Sequence, residues 1–166
     1  MKDKYHFFKN HISCNVVLDD QFECFYFKPS IFKRKLHKGL YRHSDILYIF
    51  WFLFTFGRFE ILYILDKKNG EIAHFSNILP SIFKYNFMKK NDVQIVNCWT
   101  YKEYRGRSLY SFALSNIQNK FKNNIIWIGS KTTNLSSLNA IRKSGFKQVF
   151  DVEKKTIFGI YNEINE

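Results

Sequence analysis

The stretch Asp92–Ser115, DVQIVNCWTYKEYRGRSLYSFALS, decides how the rest of the chain is read. Val93, Ile95 and Val96 form an apolar, β-branched run that predicts a buried strand. A short polar turn follows, holding Glu103, Arg105, Gly106, Arg107 and Ser108. Then Leu109, Phe112, Ala113, Ile117 and Phe121 recur at three- and four-residue steps, the period of an amphipathic helix. Strand, small basic turn and helix together aim free backbone N–H groups and the positive end of a helix dipole at an anion. Two arginines in the turn add the charge a phosphate takes up. The stretch reads as a cradle for a diphosphate.

On its C-terminal side, Asn123-Asn124 break the helix, and Ile125 to Ile128 predict a short strand buried on both faces. A second helix runs from Asn134 to about Lys143 and ends at Ser144-Gly145, with glycine at the left-handed position. Phe146–Phe150 and Thr156–Tyr161 predict a last strand pair. On the N-terminal side, Ser81–Asn91 carries Phe83, Tyr85, Phe87 and Met88 and reads as a loop or short helix lining an apolar space. Phe59–Leu65 and Glu71–Leu79 are strands joined through Asp66–Gly70, a hairpin turn built on Asn-Gly. Ser44-Asp45 starts, and Gly57 stops, a helix over 45–56. Val16–Leu18 and Phe22–Tyr26 around Asp19-Asp20-Gln21 predict an N-terminal hairpin ending at Pro29. Lys33, Arg34, Lys35, His37, Lys38 and Arg42 then form a basic cluster, either solvated surface or a contact for phosphate.

The chain therefore reads as one mixed α/β domain over 1–166. Residues 1–58 supply a hairpin, a basic linker and an apolar helix, and 59–166 supply the core. The apolar share of 46% suffices for a real interior, and the net charge of +12 points to a polyanionic partner or an A/T-rich coding bias. Three irregularly spaced cysteines (14, 24 and 98) suggest neither a disulfide framework nor a metal knuckle, so reduced thiols in the cytoplasm are expected. MKDKYHFFKN is too polar for the apolar core of a signal peptide. Ile46–Gly57 is apolar but too short for a span of ~20 residues, so a buried helix followed by a buried strand is expected.

This order of strand, basic turn, helix, buried strand, Asn-led helix and Gly-Phe resembles the second half of the GNAT superfamily of acyl-CoA N-acyltransferases. The family's cofactor motif is Arg or Gln, two residues, Gly, one residue, then Gly or Ala; Arg105, Gly106, Arg107, Ser108, Leu109 and Tyr110 occupy it. Ser108 and Tyr110 stand where small residues are usual. The second signature, Asn followed three residues on by Ala or Ser and closed by Gly-Phe, is similar to Asn134, Ser137, Gly145 and Phe146. The YRGRSLY string, with FWFLFTFGRFEILYIL, resembles the members encoded with surface-polysaccharide genes.

The resemblance implies a mixed, mostly antiparallel sheet flanked by helices, with splayed central strands. It also implies acetyl-CoA, or another acyl-CoA, as co-substrate and no metal. Backbone N–H groups from Arg107 to Tyr110 would meet the diphosphate, and Gly106 would let that backbone approach closely. Serine at 108 costs little provided its φ is negative. The pantetheine arm would pair with free backbone near Trp99 and Thr100, and Asn134, with Ser137 beside it, would reach the pantetheine amide.

Acyl transfer from a thioester to an amine needs a proton acceptor, an oxyanion donor and a leaving thiolate. His74 is the first choice of base, with Glu103 as runner-up; His74 alternatively packs as a core histidine and Glu103 as a salt bridge shaping the turn. The family's tyrosine acid, seven residues after the Asn, is replaced by Ile141, leaving Tyr110 as the substitute. Thr100 and Asn97 would orient substrate. Ser76 shares a face with His74, and Phe83, Tyr85 and Trp99 would floor a sugar or lipid pocket, or else belong to the core. The expected acceptor is an amino sugar on a nucleotide or lipid carrier. A protein, peptide or small amine is the second choice, and a non-catalytic basic module for nucleic acid or a membrane surface is the rival from another class. In the favoured reading no nucleic acid is expected, and a peripheral contact with the inner membrane face stays open, as does the oligomeric state.

Overall fold

The structure, a computed structural model, describes residues 4–11, 14–30, 32–33, 45–81, 87–154 and 161–163. Phe83, Tyr85 and residues 34, 35, 37, 38 and 42 of the basic cluster lie outside the described residues. In chain order the elements are β1 (Lys4–Asn10), β2 (Phe22–Phe27), α1 (Asp45–Thr55), β3 (Glu60–Asp66), β4 (Ile72–Pro80), β5 (Val93–Thr100), α2 (Leu109–Lys120), β6 (Ile126–Lys131), α3 (Leu135–Lys143), β7 (Phe146–Lys154) and β8 (Tyr161–Glu163). The strands form one eight-stranded sheet ordered β2-β3-β4-β5-β6-β1-β7-β8. Among the described residues β5–β6 is the parallel pair, and all other neighbours run antiparallel. A parallel pair needs a long crossover, and α2 supplies it.

Alternation along the strands divides the interior. Leu62, Ile64, Ala73, Val93, Ile95, Ile126 and Ile128 meet Leu109, Ala113, Leu114 and Ile117 of α2 and Leu138 and Ile141 of α3. On the opposite face Ile61, Tyr63, Phe75 and Leu79 meet Tyr48 and Trp51 of α1. Further along that second face, Phe7, Trp127 and Val152 pack with Phe87 and Met88. A methyl group at Gly129 would come within 2.8 Å of the Phe7 ring, so this patch has no spare room.

Two expectations change. The predicted N-terminal hairpin is absent among the described residues: Val16–Leu18 form no strand, β2 pairs with β3, and β1 sits across the sheet between β6 and β7. The amphipathic period of β1 shows which face is buried but says nothing about which strand lies beside it. The apolar helix at 45–55 is buried on one face only, through Tyr48, Trp51 and Thr55, while Ile46, Ile49, Phe50, Leu53 and Phe54 are open to solvent. No helix among the described residues is long and apolar enough to cross a membrane.

Candidate active site

β5 and β6 pair through Val93–Ile126, Gln94–Trp127 and Ile95–Ile128 and then part, although β5 runs on to Thr100 and β6 to Lys131. The cause is visible in the β4–β5 register. Phe75 faces Trp99 and Asn77 faces Val96, so two residues of β5, Asn97 and Cys98, oppose Ser76 alone. That is a β-bulge, and Asn97 takes it up with φ +50. The extra residue resets the alternation: Ile95 before it and Cys98 after it both join the α2/α3 side.

A cleft of ≈ 630 Å³ opens where the strands separate. Its walls are His74 of β4, Cys98, Trp99 and Thr100 of β5, the turn residues Tyr104–Gly106 and Ser108 with the first turn of α2, and Asn134, Ser137 and Lys143 at α3. Gly106 has φ +81 and an open space where a side chain would be. Phe112 N–H, bonded to Ser108 O, is the first in α2 to turn inward, so the Leu109, Tyr110 and Ser111 amides face out at the helix start. Leu109 contributes only its backbone, for its side chain is buried in the core.

Ser108 departs from its expectation, because its φ is +56 rather than negative. A serine there carries left-handed strain of roughly 1 kcal/mol that glycine would not. The Arg105 guanidinium carbon stands over Trp99, 5.2 Å from the ring centroid, and its Nε donates to Thr100 O at 3.2 Å. The Arg107 guanidinium instead donates to Gln21 Oε1 at 2.6 Å and stands over Phe22, away from the residues lining the cleft. Gln21 is in turn held by Asp66, whose carboxyl is kept below the usual carboxylate range chiefly by the Lys68 backbone N–H.

Behind the cleft runs a buried polar chain. His74 has no exposed surface; its Nδ1 lies 2.7 Å from Thr100 Oγ1 and its Nε2 lies 2.8 Å from Ser76 Oγ. Ser76 gives its hydroxyl proton to Cys98 Sγ at 3.2 Å. Nε2 therefore carries the imidazole proton, Thr100 donates to Nδ1, and the Thr100 oxygen keeps acceptor capacity toward the cleft. Burial pulls the His74 pKa down to about 3, so at neutral pH the ring is uncharged and a weak base. His74, the first choice of base, lines the cleft from a fully buried position, a depth that period two does not report. Ser76 is equally buried and bridges His74 and Cys98.

The Tyr110 ring lies 5.8 Å from the His74 ring and its hydroxyl is 3.4 Å from Ser137 Oγ. Burial first, then the neighbouring Cys98, raises the phenol well above its ordinary pKa, so it stays protonated. The same burial pushes the Cys98 thiol up to about 12. Asn134 caps α3, its Oδ1 accepting from Ser137 N–H at 3.3 Å, and the residue lines the cleft. Glu103 is exposed on the turn, outside the cleft lining, and Asn97 is exposed at the bulge.

Sequence reasoning missed Cys98, Lys143 and Asn77. The bulge hides Cys98 from any period-two reading. Asn77 is fully buried on the α1 side with neither amide atom hydrogen-bonded, an arrangement that costs about 1–3 kcal/mol. Among the described residues no cluster of His, Cys, Asp and Glu is arranged to hold a metal ion.

No protein-family model matches the sequence, and no curated protein does. Solved structures do match. A GCN5-related N-acetyltransferase from Sphaerobacter thermophilus superposes with TM-score 0.67 over 92% of this chain at 8% identity. An acetyltransferase of the GNAT family from Colwellia psychrerythraea gives 0.60 over 90% at 11% identity. A GCN5-related N-acetyltransferase-like protein from Streptococcus suis gives 0.53 over 89% at 15% identity. The chain spans 50%, 53% and 60% of those proteins, respectively. At such identities the likeness speaks for architecture: this chain has the mixed α/β fold of the GNAT acetyltransferases, with its central strands splayed.

Proposed function

We propose that the protein is an acyl-CoA-dependent N-acyltransferase that moves an acetyl or short acyl group directly to an amine in a ternary complex. The observation that carries this reading is the row of outward amides at the start of α2, set beside the parting of β5 and β6. The amides and the helix dipole take the pyrophosphate, with Arg105 alongside. The edge of β5 beyond its pairing with β6 takes the pantetheine arm in strand fashion, and Asn134 Nδ2 donates to one of its carbonyls.

The amine attacks the thioester carbonyl; a C–N bond forms, the C–S bond breaks, and the electron pair leaves on sulfur. Backbone N–H groups beside the bulge stabilise the oxyanion. Tyr110, held as a neutral phenol, donates a hydrogen bond to the departing sulfur, and the thiolate is protonated from solvent. Thr100, fixed by His74, accepts from the amine and orients it, so His74 is a positioning residue acting through Thr100. The amine enters as the free base and releases its proton to solvent.

The acceptor in this reading is an amino sugar on a nucleotide or lipid carrier. Support comes from the resemblance of the Tyr104–Tyr110 string to polysaccharide-associated enzymes and from the net charge of +12. Calorimetry with acetyl-CoA tests the core of the proposal: saturable binding at tens of micromolar is expected, and no heat would leave a non-catalytic basic module. Thiol release with nucleotide-linked amino sugars, set against peptide amines, tests the acceptor.

A further inference from the structure

α1 turns two different faces outward and inward. Tyr48, Trp51 and Thr55 lie against the sheet, whereas Ile46, Ile49, Phe50, Leu53 and Phe54 fall on the far side at steps of three, one, three and one. Those five are 40% to 75% exposed, and Phe56 just past the helix is 84% exposed. The Phe50 and Phe54 rings lie 4.1 Å apart and make one slab. From Ile46 through Gly57 the sequence has no charged side chain. A contiguous apolar stripe of this kind marks an interface.

Charge decides what it meets. The chain leading into α1, from Lys28 to Ser44, carries six lysines and arginines and no carboxylate, and Arg58 follows the helix. Lys33 sits on the α1 side of the sheet, its ammonium 5.8 Å from the Phe27 ring, and Phe27 packs on the cluster that holds Trp51. Glu60, at the start of β3, is already matched by Lys28 at 3.5 Å and by Lys120. An apolar stripe in a cationic setting complements an anionic bilayer, while two copies at +12 each would repel. At 11 residues α1 is roughly 16 Å long, about half of what a crossing requires, so it suits lying in the interface plane.

We infer that the outer face of α1, led by Phe50, Leu53 and Phe54, docks the protein onto anionic phospholipid, with its axis parallel to the membrane. This stands independently of the acyltransferase reading.

The test is co-sedimentation of the full chain with vesicles of phosphatidylcholine, alone or with ~30% phosphatidylglycerol. Expected is binding at least about tenfold tighter to the anionic vesicles, weakened in 0.5 M salt. Leu53→Glu, at a solvent-facing position, should lower the anionic partition by about tenfold or more, and Phe50→Ser should act in the same direction, with acetyl-CoA binding and circular dichroism as fold controls. Failure of the wild type to sediment with anionic vesicles, or unchanged partition in both variants, overturns the inference. Light scattering that shows a dimer dissociated by Leu53→Glu also overturns it, in favour of a second copy.

Discussion

α1 and α2 are of nearly equal length and lie on opposite faces of the same sheet, yet they solve different problems. α2 buries Leu109, Ala113, Leu114 and Ile117, and its outer residues find local partners: Tyr26 OH donates to Asn116 Oδ1 at 2.6 Å, and Lys120 pairs with Glu60. Its start is the part left open, and that opening faces the cleft. α1 buries Tyr48 and Trp51 but leaves its apolar outer face uncovered. An amphipathic pattern is complete once its apolar side is packed. A helix apolar all round has a second face that the fold of one chain does not cover.

The largest effect expected from breaking this comparison lies on the inner face of α1. Trp51→Ala should cost about 3–5 kcal/mol in urea unfolding, whereas Leu53→Ala, one turn face away, should stay within ~0.5 kcal/mol. Equal losses at both positions would mean that the outer face is packed after all.

At the α2 end, Gly106→Val places a β-branched residue at φ +81 with no steric clash to blame. The turn must rebuild, and acetyl-CoA affinity measured by calorimetry should fall about a hundredfold, close to 3 kcal/mol. Retained affinity would remove the turn from the site.

His74 links the cleft to stability. Its folded pKa of about 3 lies below the ordinary 6.5, so the unfolded chain binds the proton first as pH falls. The neutral buried ring is fully stabilising above pH 6.5, and stability drops through the window down to pH 3. Between pH 6.5 and about pH 5 the loss should be roughly 2 kcal/mol, and His74→Gln should flatten that limb of the urea-unfolding profile. The same variant should lower kcat more than KM if Thr100 orientation is its role. An unflattened limb would show that the ring is accessible in the folded state.

Smaller effects finish the series. Ser108→Gly should raise stability by up to ~1 kcal/mol, read as an increase in thermal midpoint, by relieving the left-handed serine. Arg107→Gln should weaken acetyl-CoA binding less than about threefold, because its guanidinium is engaged with Gln21 outside the cleft. A large loss would mean that Arg107 swings inward when the cofactor arrives.

What the sequence by itself determined were the features written in adjacent residues. The strand at 93–100, the basic turn, the period of α2, the Asn-led helix with its cap and the Gly145 stop all depend on local steric and hydrogen-bonding preferences. The tertiary structure decided what depends on neighbours distant in the chain. It set β1 between β6 and β7, placed the bulge that turns Cys98 and Thr100 toward the cleft, and buried His74 and Ser76 deeply enough to change their chemistry. It also left one side of an all-apolar helix bare. Periodicity reports which side of an element is apolar; strand order, register and depth arise from how whole faces pack together, and no local stretch contains that information.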